Sequence, residues 1–303
     1  MRHNGWVSRN RLQMFAWLSI VTALATIALK VGAWWLTGSV GLLSDAAESV
    51  VNLVAAVVAL FALRVAARPA DDDHNFGHAK AEYFSAGVEG AMIFVAAVVI
   101  IYAAVERIIH PRDLESLGLG VGISVLASVL NGVVAVVLLR AGRRYRSITL
   151  TADGRHLMTD VVTTAGVVAG IILVGITHWY WLDPIIAIAV AINILFVGYR
   201  LIKESTSGLM DIAMPDEEVG SIGRVLDGFR SPEVEFHDVR TRVGGHLRFL
   251  QLHMLVPGEW SVQRGHDLVE DVEERLREAV DDLIITVHLE PIEDPRSYES
   301  WRR

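Results

Sequence analysis

Apolar residues run in six long blocks separated by short polar stretches, at roughly 12–36, 40–64, 83–109, 117–140, 150–178 and 182–203. Each is long enough to cross a hydrocarbon core, which takes ~20 helical residues, so the pattern predicts a membrane body of six transmembrane helices. After Asp211 the pattern shortens and its period changes. Residues 215–229 read as an amphipathic helix, 235–243 and 246–256 as two strands joined at Gly244-Gly245, 262–280 as a second helix and 283–290 as a third strand. That αββαβ order predicts a small α+β sandwich with helices on one face of its sheet. The chain is expected to divide into a membrane domain, 1–211, and a soluble domain, 212–303.

Basic residues orient the membrane domain. Arg2, Arg9, Arg11, Arg64, Arg68, Lys80, Arg140, Arg143, Arg144, Arg146, Arg200 and Lys203 fall on one side, and only Arg107 and Arg112 on the other. The positive-inside rule then places both termini, the loops near 65–82 and 140–149, and the soluble domain in the cytoplasm. Arg9 and Arg11 precede an apolar run longer than a signal-peptide core, so it reads as a first membrane helix and not a cleaved leader. Composition agrees with a membrane protein: 52% hydrophobic residues and a mean hydropathy of +0.42. Residues 1–211 hold 16 Lys+Arg against 15 Asp+Glu, and 212–303 hold 11 against 20. An acidic soluble part argues against nucleic acid as a partner. With no cysteine, any metal site must use His, carboxylate or amide ligands.

Polar residues inside the apolar blocks carry the candidate chemistry, because a charge at bilayer depth costs at least ~2.5 kcal/mol. In the fifth block His156 and Asp160 are four residues apart, hence on one helical face; in the second block Glu48 and Asn52 repeat that spacing. At 1.5 Å per residue along antiparallel helices, Asn52 comes level with His156 and Glu48 with Asp160. Four such groups make a tetrahedral cage whose two carboxylates balance a divalent cation; the alternative is a pair of structural interhelical hydrogen bonds. Asp45, a turn before Glu48, reads equally as an outer relay for ion or proton and as an interfacial carboxylate. Gly166 and Gly170 read as a close helix-packing motif.

Two further clusters lie outside the blocks. The loop DDDHNFGH offers Asp71, His74 and His78, which from spacing alone is as readily a solvated turn as a site. His237, His253, His266, His288 and Glu290 are spread through the soluble domain, where scattered surface histidines are the default; His288 and Glu290 alternate on one strand and so share a face.

LLSDAAESVVN, PADDDHNFGHAKAEYFS, HLMTD, LMD, FHDVRTR, LQLH, GHDLVED and VHLEP, in this order from about residue 10 to 295, make the chain resemble the cation diffusion facilitator family, and in particular its bacterial zinc/proton antiporters. The resemblance implies six transmembrane helices, a cytoplasmic ferredoxin-like domain and a homodimer in the inner (plasma) membrane that exports a divalent metal, Zn2+ first among them, in exchange for protons. It implies a transporter and not an enzyme. Glu48, Asn52, His156 and Asp160 match the family's transport site, and Asp71, His74 and His78 its loop site. His237, His253, His266, His288 and Glu290 match a binuclear site at the dimer interface, while Lys80 and Asp211 match a charge pair near the hinge. Glu48 and Asn52 depart from the His or Asp and the Asp usual in zinc members, which leaves iron(II), cobalt, cadmium and manganese as alternative cargoes. Two other classes are weighed: a membrane metal sensor that does not transport, and an intramembrane metallohydrolase, for which the chain lacks a His-Glu-x-x-His.

Overall fold

The apolar blocks fold as helices α1 (Asn4–Thr37), α2 (Val40–Ala66), α3 (Ala81–Ile109), α4 (Gly118–Tyr145), α5 (Ile148–Thr177) and α6 (Leu182–Leu209). The computed structural model describes residues 4–37, 40–110, 118–177, 179 and 182–298, with only the backbone described in stretches such as 40–48 and 170–176. The chain divides into two units, Met1–Thr206 and Ser207–Arg303.

In the first unit alanines line the helix contacts together with Ile93, Leu138, Leu150, Ile194 and Leu201, while many large apolar residues face outward. Ala16, Ala55, Ala56, Ala59, Ala86 and Ala97 are buried, whereas Phe61, Phe84, Tyr102 and Phe196 are exposed. An apolar surface of this kind belongs in lipid. Among the described residues, Leu12–Gly32, Ala81–Glu106, Gly122–Tyr145 and Pro184–Leu209 are long and apolar enough to cross a membrane. The apolar stretch described in α2, Asn52–Ala66, is shorter. α5 is interrupted by Asp153, Arg155, His156 and Asp160. Four of the six expected spans thus meet, within the described residues, the length and apolarity of a membrane crossing, while α2 and α5 are described only in part.

α5 is the helix that the others position. It packs on α4, α3 and α2, while α1 packs on α2 and α4. The α4–α5 turn is tight: Arg146 takes φ +52°, and the Ser147 N–H donates to Gly142 O at 2.9 Å, which closes α4. Ser147 then caps α5, its Oγ accepting from Leu150 N at 3.3 Å. Buried Glu82 of α3 accepts from Ser147 Oγ at 2.5 Å and from Thr149 N at 3.5 Å, so a carboxylate sits against the positive end of α5. Glycines allow backbone contact: a Cβ on Gly198 of α6 would lie 2.9 Å from Phe94 N and 3.0 Å from Gly90 O of α3. Gly166 likewise faces Val190 of α6, where a Cβ would come within 2.8 Å of Cγ2; Gly170 lies outside the described side chains.

The second unit follows the order α7 (Asp216–Phe229), β1 (Glu235–Gly244), β2 (Leu247–Val256), α8 (Val262–Ala279) and β3 (Leu283–Pro291), with a 3₁₀ turn at Pro295–Tyr298. β1 pairs with β2 antiparallel and β2 with β3 parallel, which leaves β2 central. Alternate residues of β2, Leu250, Leu252 and Met254, join Ile222 and Leu226 of α7 and Val272 and Leu276 of α8 in one core. Arg248 ties β2 to α7 through a bidentate pair with Glu218, 2.5 and 3.2 Å. The other residues of β2, His253 among them, take the opposite side of the sheet.

Candidate metal sites

Asn52 of α2 links both polar residues of α5. Its Oδ1 lies 2.8 Å from His156 Nε2, and its Nδ2 donates to Asp160 Oδ2. His156 and Asn52 are 5% and 6% exposed, so the contact is made away from solvent. Depth along the antiparallel helices predicts Asn52 opposite His156 alone; instead the amide, with an acceptor at one end and a donor at the other, spans both turns of α5. With the amide oxygen as acceptor, His156 Nε2 carries a hydrogen, which that nitrogen must lose before it can itself bind a metal. Glu48 and Asp45 belong to α2, but their side chains lie outside the described residues.

In the loop between α2 and α3, Asp71 gathers the two histidines. Asp71 Oδ1 accepts from His74 N at 2.7 Å and lies 3.2 Å from His74 Nδ1, while Oδ2 is 3.3 Å from His78 Nε2. The main-chain oxygen of Pro69, 3.1 Å from His78 Nδ1, can only accept, so Nδ1 carries the hydrogen and Nε2 turns a lone pair toward the carboxylate. Two acceptors facing each other call for a cation or a proton between them. Desolvation raises the Asp71 pKa, but hydrogen bonds from the His74 main chain and ring outweigh it and hold the carboxyl below its ordinary value. Gly77, at φ +80°, makes the turn that brings His78 back.

In the second unit strand register builds the cluster. His237 of β1 is paired with His253 of β2, and His253 with His288 of β3, so three imidazoles stand in a row across the sheet. His237 Nε2 and His253 Nδ1 each lie 3.0 Å from Glu290 Oε2, a nitrogen-nitrogen-oxygen set that fits zinc. His288 stands beside them, its ring 4.9 Å from that of His253 and its Nε2 3.9 Å from Glu290 Oε1. His266 is not brought in: it is exposed on α8, in the helical layer, and pairs with Glu270 at 4.0 Å. Asp211, at φ +58°, pairs with Arg242 within the second unit at 3.1 Å, and Lys80 occupies the N-cap position of α3 in the first unit.

Two residues escaped the sequence reading. Asp238 follows His237, and in a regular strand it would point away from it. The ladder shifts between His237 and Arg240, Asp238 takes φ +48°, and its Oδ2 comes within 3.9 Å of His253 Nε2. A neighbour that a bulge swings onto the shared face leaves no period-two signal. Asp153, three residues before His156 in α5, is the second; its buried position depends on α1 and α3 and not on its own helix.

Known proteins resemble this chain over nearly its whole length. The family pattern described as the cation efflux transmembrane domain matches residues 16–210, and that described as the cation efflux protein cytoplasmic domain matches 214–292. An uncharacterized transporter of Synechocystis sp. is 51% identical over 285 residues, 94% of this chain and 92% of its own. The cation-efflux pump FieF of Shewanella oneidensis is 30% identical over 275 residues, 91% of this chain and 92% of its own. The metal-bound C-terminal domain of the CzcD transporter from Thermotoga maritima is similar over 27% of this chain and 99% of its own, at 29% identity and a TM-score of 0.25. The first of these patterns covers well over half of the residues and the second most of the remainder, so the chain belongs to the cation diffusion facilitator family of cation-efflux transporters.

Proposed function

We propose that this transporter exports a divalent metal, Zn2+ before Fe2+, Co2+, Cd2+ or Mn2+, from the cytoplasm in exchange for protons. It works as a homodimer whose six helices per protomer all cross the plasma membrane, with both termini and the domain 212–303 in the cytoplasm. The observation that carries the reading is the buried convergence of Asn52, His156 and Asp160 between α2 and α5. Glu48 completes the set, and Asp45 serves as an outer relay. Metal arriving by way of Asp71, His74 and His78 displaces the hydrogen on His156, binds, and leaves on the outer side when that imidazole is protonated again.

His237, His253, His288 and Glu290 hold a metal that ties the three strands together, and His266 joins them in the assembled dimer. This metal acts on dimer closure by favouring one conformation over the other.

Proteoliposomes loaded with a metal-sensitive dye test the reading. Asp160→Ala is expected to abolish flux of Zn2+ while the protein still elutes as the wild-type dimer, and an imposed pH gradient is expected to change the wild-type rate. Wild-type flux in Asp160→Ala removes the intramembrane site from the mechanism. Flux indifferent to the gradient removes the protons.

A further inference from the structure

A second buried carboxyl pair lies one step behind the ligands, between α3 and α5. Asp153 precedes His156 by three residues, ~4.5 Å along the helix axis. Glu89 stands on α3, which packs against α5. Their exposures are 1% and 0%. Each carboxyl has one oxygen held by a hydroxyl: Ser19 of α1 donates to Asp153 Oδ1 at 3.1 Å, and Ser85 donates to Glu89 Oε1 at 3.3 Å. Asp153 Oδ2 and Glu89 Oε2 are buried with no hydrogen-bond partner among the described residues. The two groups are within Coulomb reach of each other, and Asp153 is also within reach of His156 and Asp160.

No cation among the described residues neutralises this pair. Arg155 of α5 is bound to Glu204 of α6 at 2.7 Å, and Glu82 of α3 faces Ser147. Toward Gly154, α4 presents Leu139 and Ala135, and α2 brings the neutral amide of Asn52 to His156. Two full carboxylates so placed, each with one neutral donor, carry a heavy desolvation cost. One proton removes one of the two charges and with it much of that cost. A divalent ion bound by His156 and Asp160, a helical turn away, has the opposite effect, because its charge favours the ionised pair.

We propose that Glu89 and Asp153 share one proton, released when metal occupies the site at His156 and Asp160 and regained once the metal has left. The pair is then a proton-carrying site of the exchange, separate from the metal ligands; this rests on the metal-proton exchange proposed above. The proton count closes over the cycle, since one proton leaves to the cytoplasmic side as the metal arrives from it and one is taken up after the metal departs outward.

The test is calorimetric titration of the full-length protein in detergent with Zn2+ alone, in buffers of different ionisation enthalpy, to count protons released per protomer at saturation. Glu89→Gln and Asp153→Asn are each expected to bind as many metal ions as the wild type and to release about one proton fewer. An unchanged proton count in either folded variant overturns the proposal. Failure of both variants to fold, or loss of metal binding in both, gives the pair a structural role and overturns it too; if one alone fails, the other decides. A wild-type protein that releases no protons and whose flux ignores a pH gradient instead refutes the exchange itself, and the wild-type arm alone reports that outcome.

Discussion

Asn52 joins His156 and Asp160 across the α2–α5 contact. Its amide accepts from His156 and donates to Asp160, so it ties the two side chains together without adding charge. An aspartate in its place would accept from His156 but would meet Asp160 as a like charge, unless a proton or a metal stood between them. Asn52→Asp is therefore expected to make Zn2+ binding more strongly pH-dependent, read as the change of Kd between pH 6 and pH 8 in the full-length protein. An unchanged pH profile would show that Asn52 does not share the field of the two ligands. His156 and Asp160 could be recognised from their four-residue spacing alone. That Asn52 contacts both could not, because interhelical register turns on a residue or two that hydropathy does not resolve.

Turns and registers decide which ligands meet. In the second unit, antiparallel pairing of β1 with β2 and parallel pairing of β2 with β3 bring residues 237, 253 and 288 into one row. The alternation of apolar residues indicated three strands; it carried no information on which residue pairs with which across them. The bulge at Asp238 adds a carboxylate beside His253. Asp238→Ala is expected to weaken Zn2+ binding by the second unit about tenfold, as removal of an outer partner of a metal-bound histidine does, with the circular dichroism of the domain unchanged. Wild-type affinity in that variant makes the bulge a matter of strand geometry only. Between α3 and α6 the limit is steric: Gly198→Val, which would drive a side chain into the main chain of Phe94, is expected to cost about 1–3 kcal/mol or more and to show as a lower melting temperature in detergent.

On the scale of the whole molecule, the chain divides into an acidic α+β unit and a helical unit that turns many of its large apolar residues outward. If the proposed site at His237, His253 and Glu290 binds metal, the folded second unit gains stability by mass action, ~2.7 kcal/mol at a free concentration one hundred times Kd. The zinc-induced rise in the unfolding midpoint of that unit is expected in the full-length protein and is expected to disappear in His253→Ala. An equal rise in the variant would place the stabilising metal elsewhere.

Hydropathy blocks, strand alternation and the ordered motifs sufficed for the helical body, the αββαβ order of the second unit and the family, because each of these is written in local periodicity. The ligand-type residues were also visible, since a polar side chain in an apolar block stands out by its cost. The tertiary structure alone decided that His266 stands apart from His237, His253 and Glu290, and that Asp238 approaches them. It also decided that Glu82 caps α5 from another helix and that Glu89 and Asp153 come within reach of each other. These are contacts between residues far apart in the chain, and they follow from how helices and strands pack rather than from any pattern along one of them.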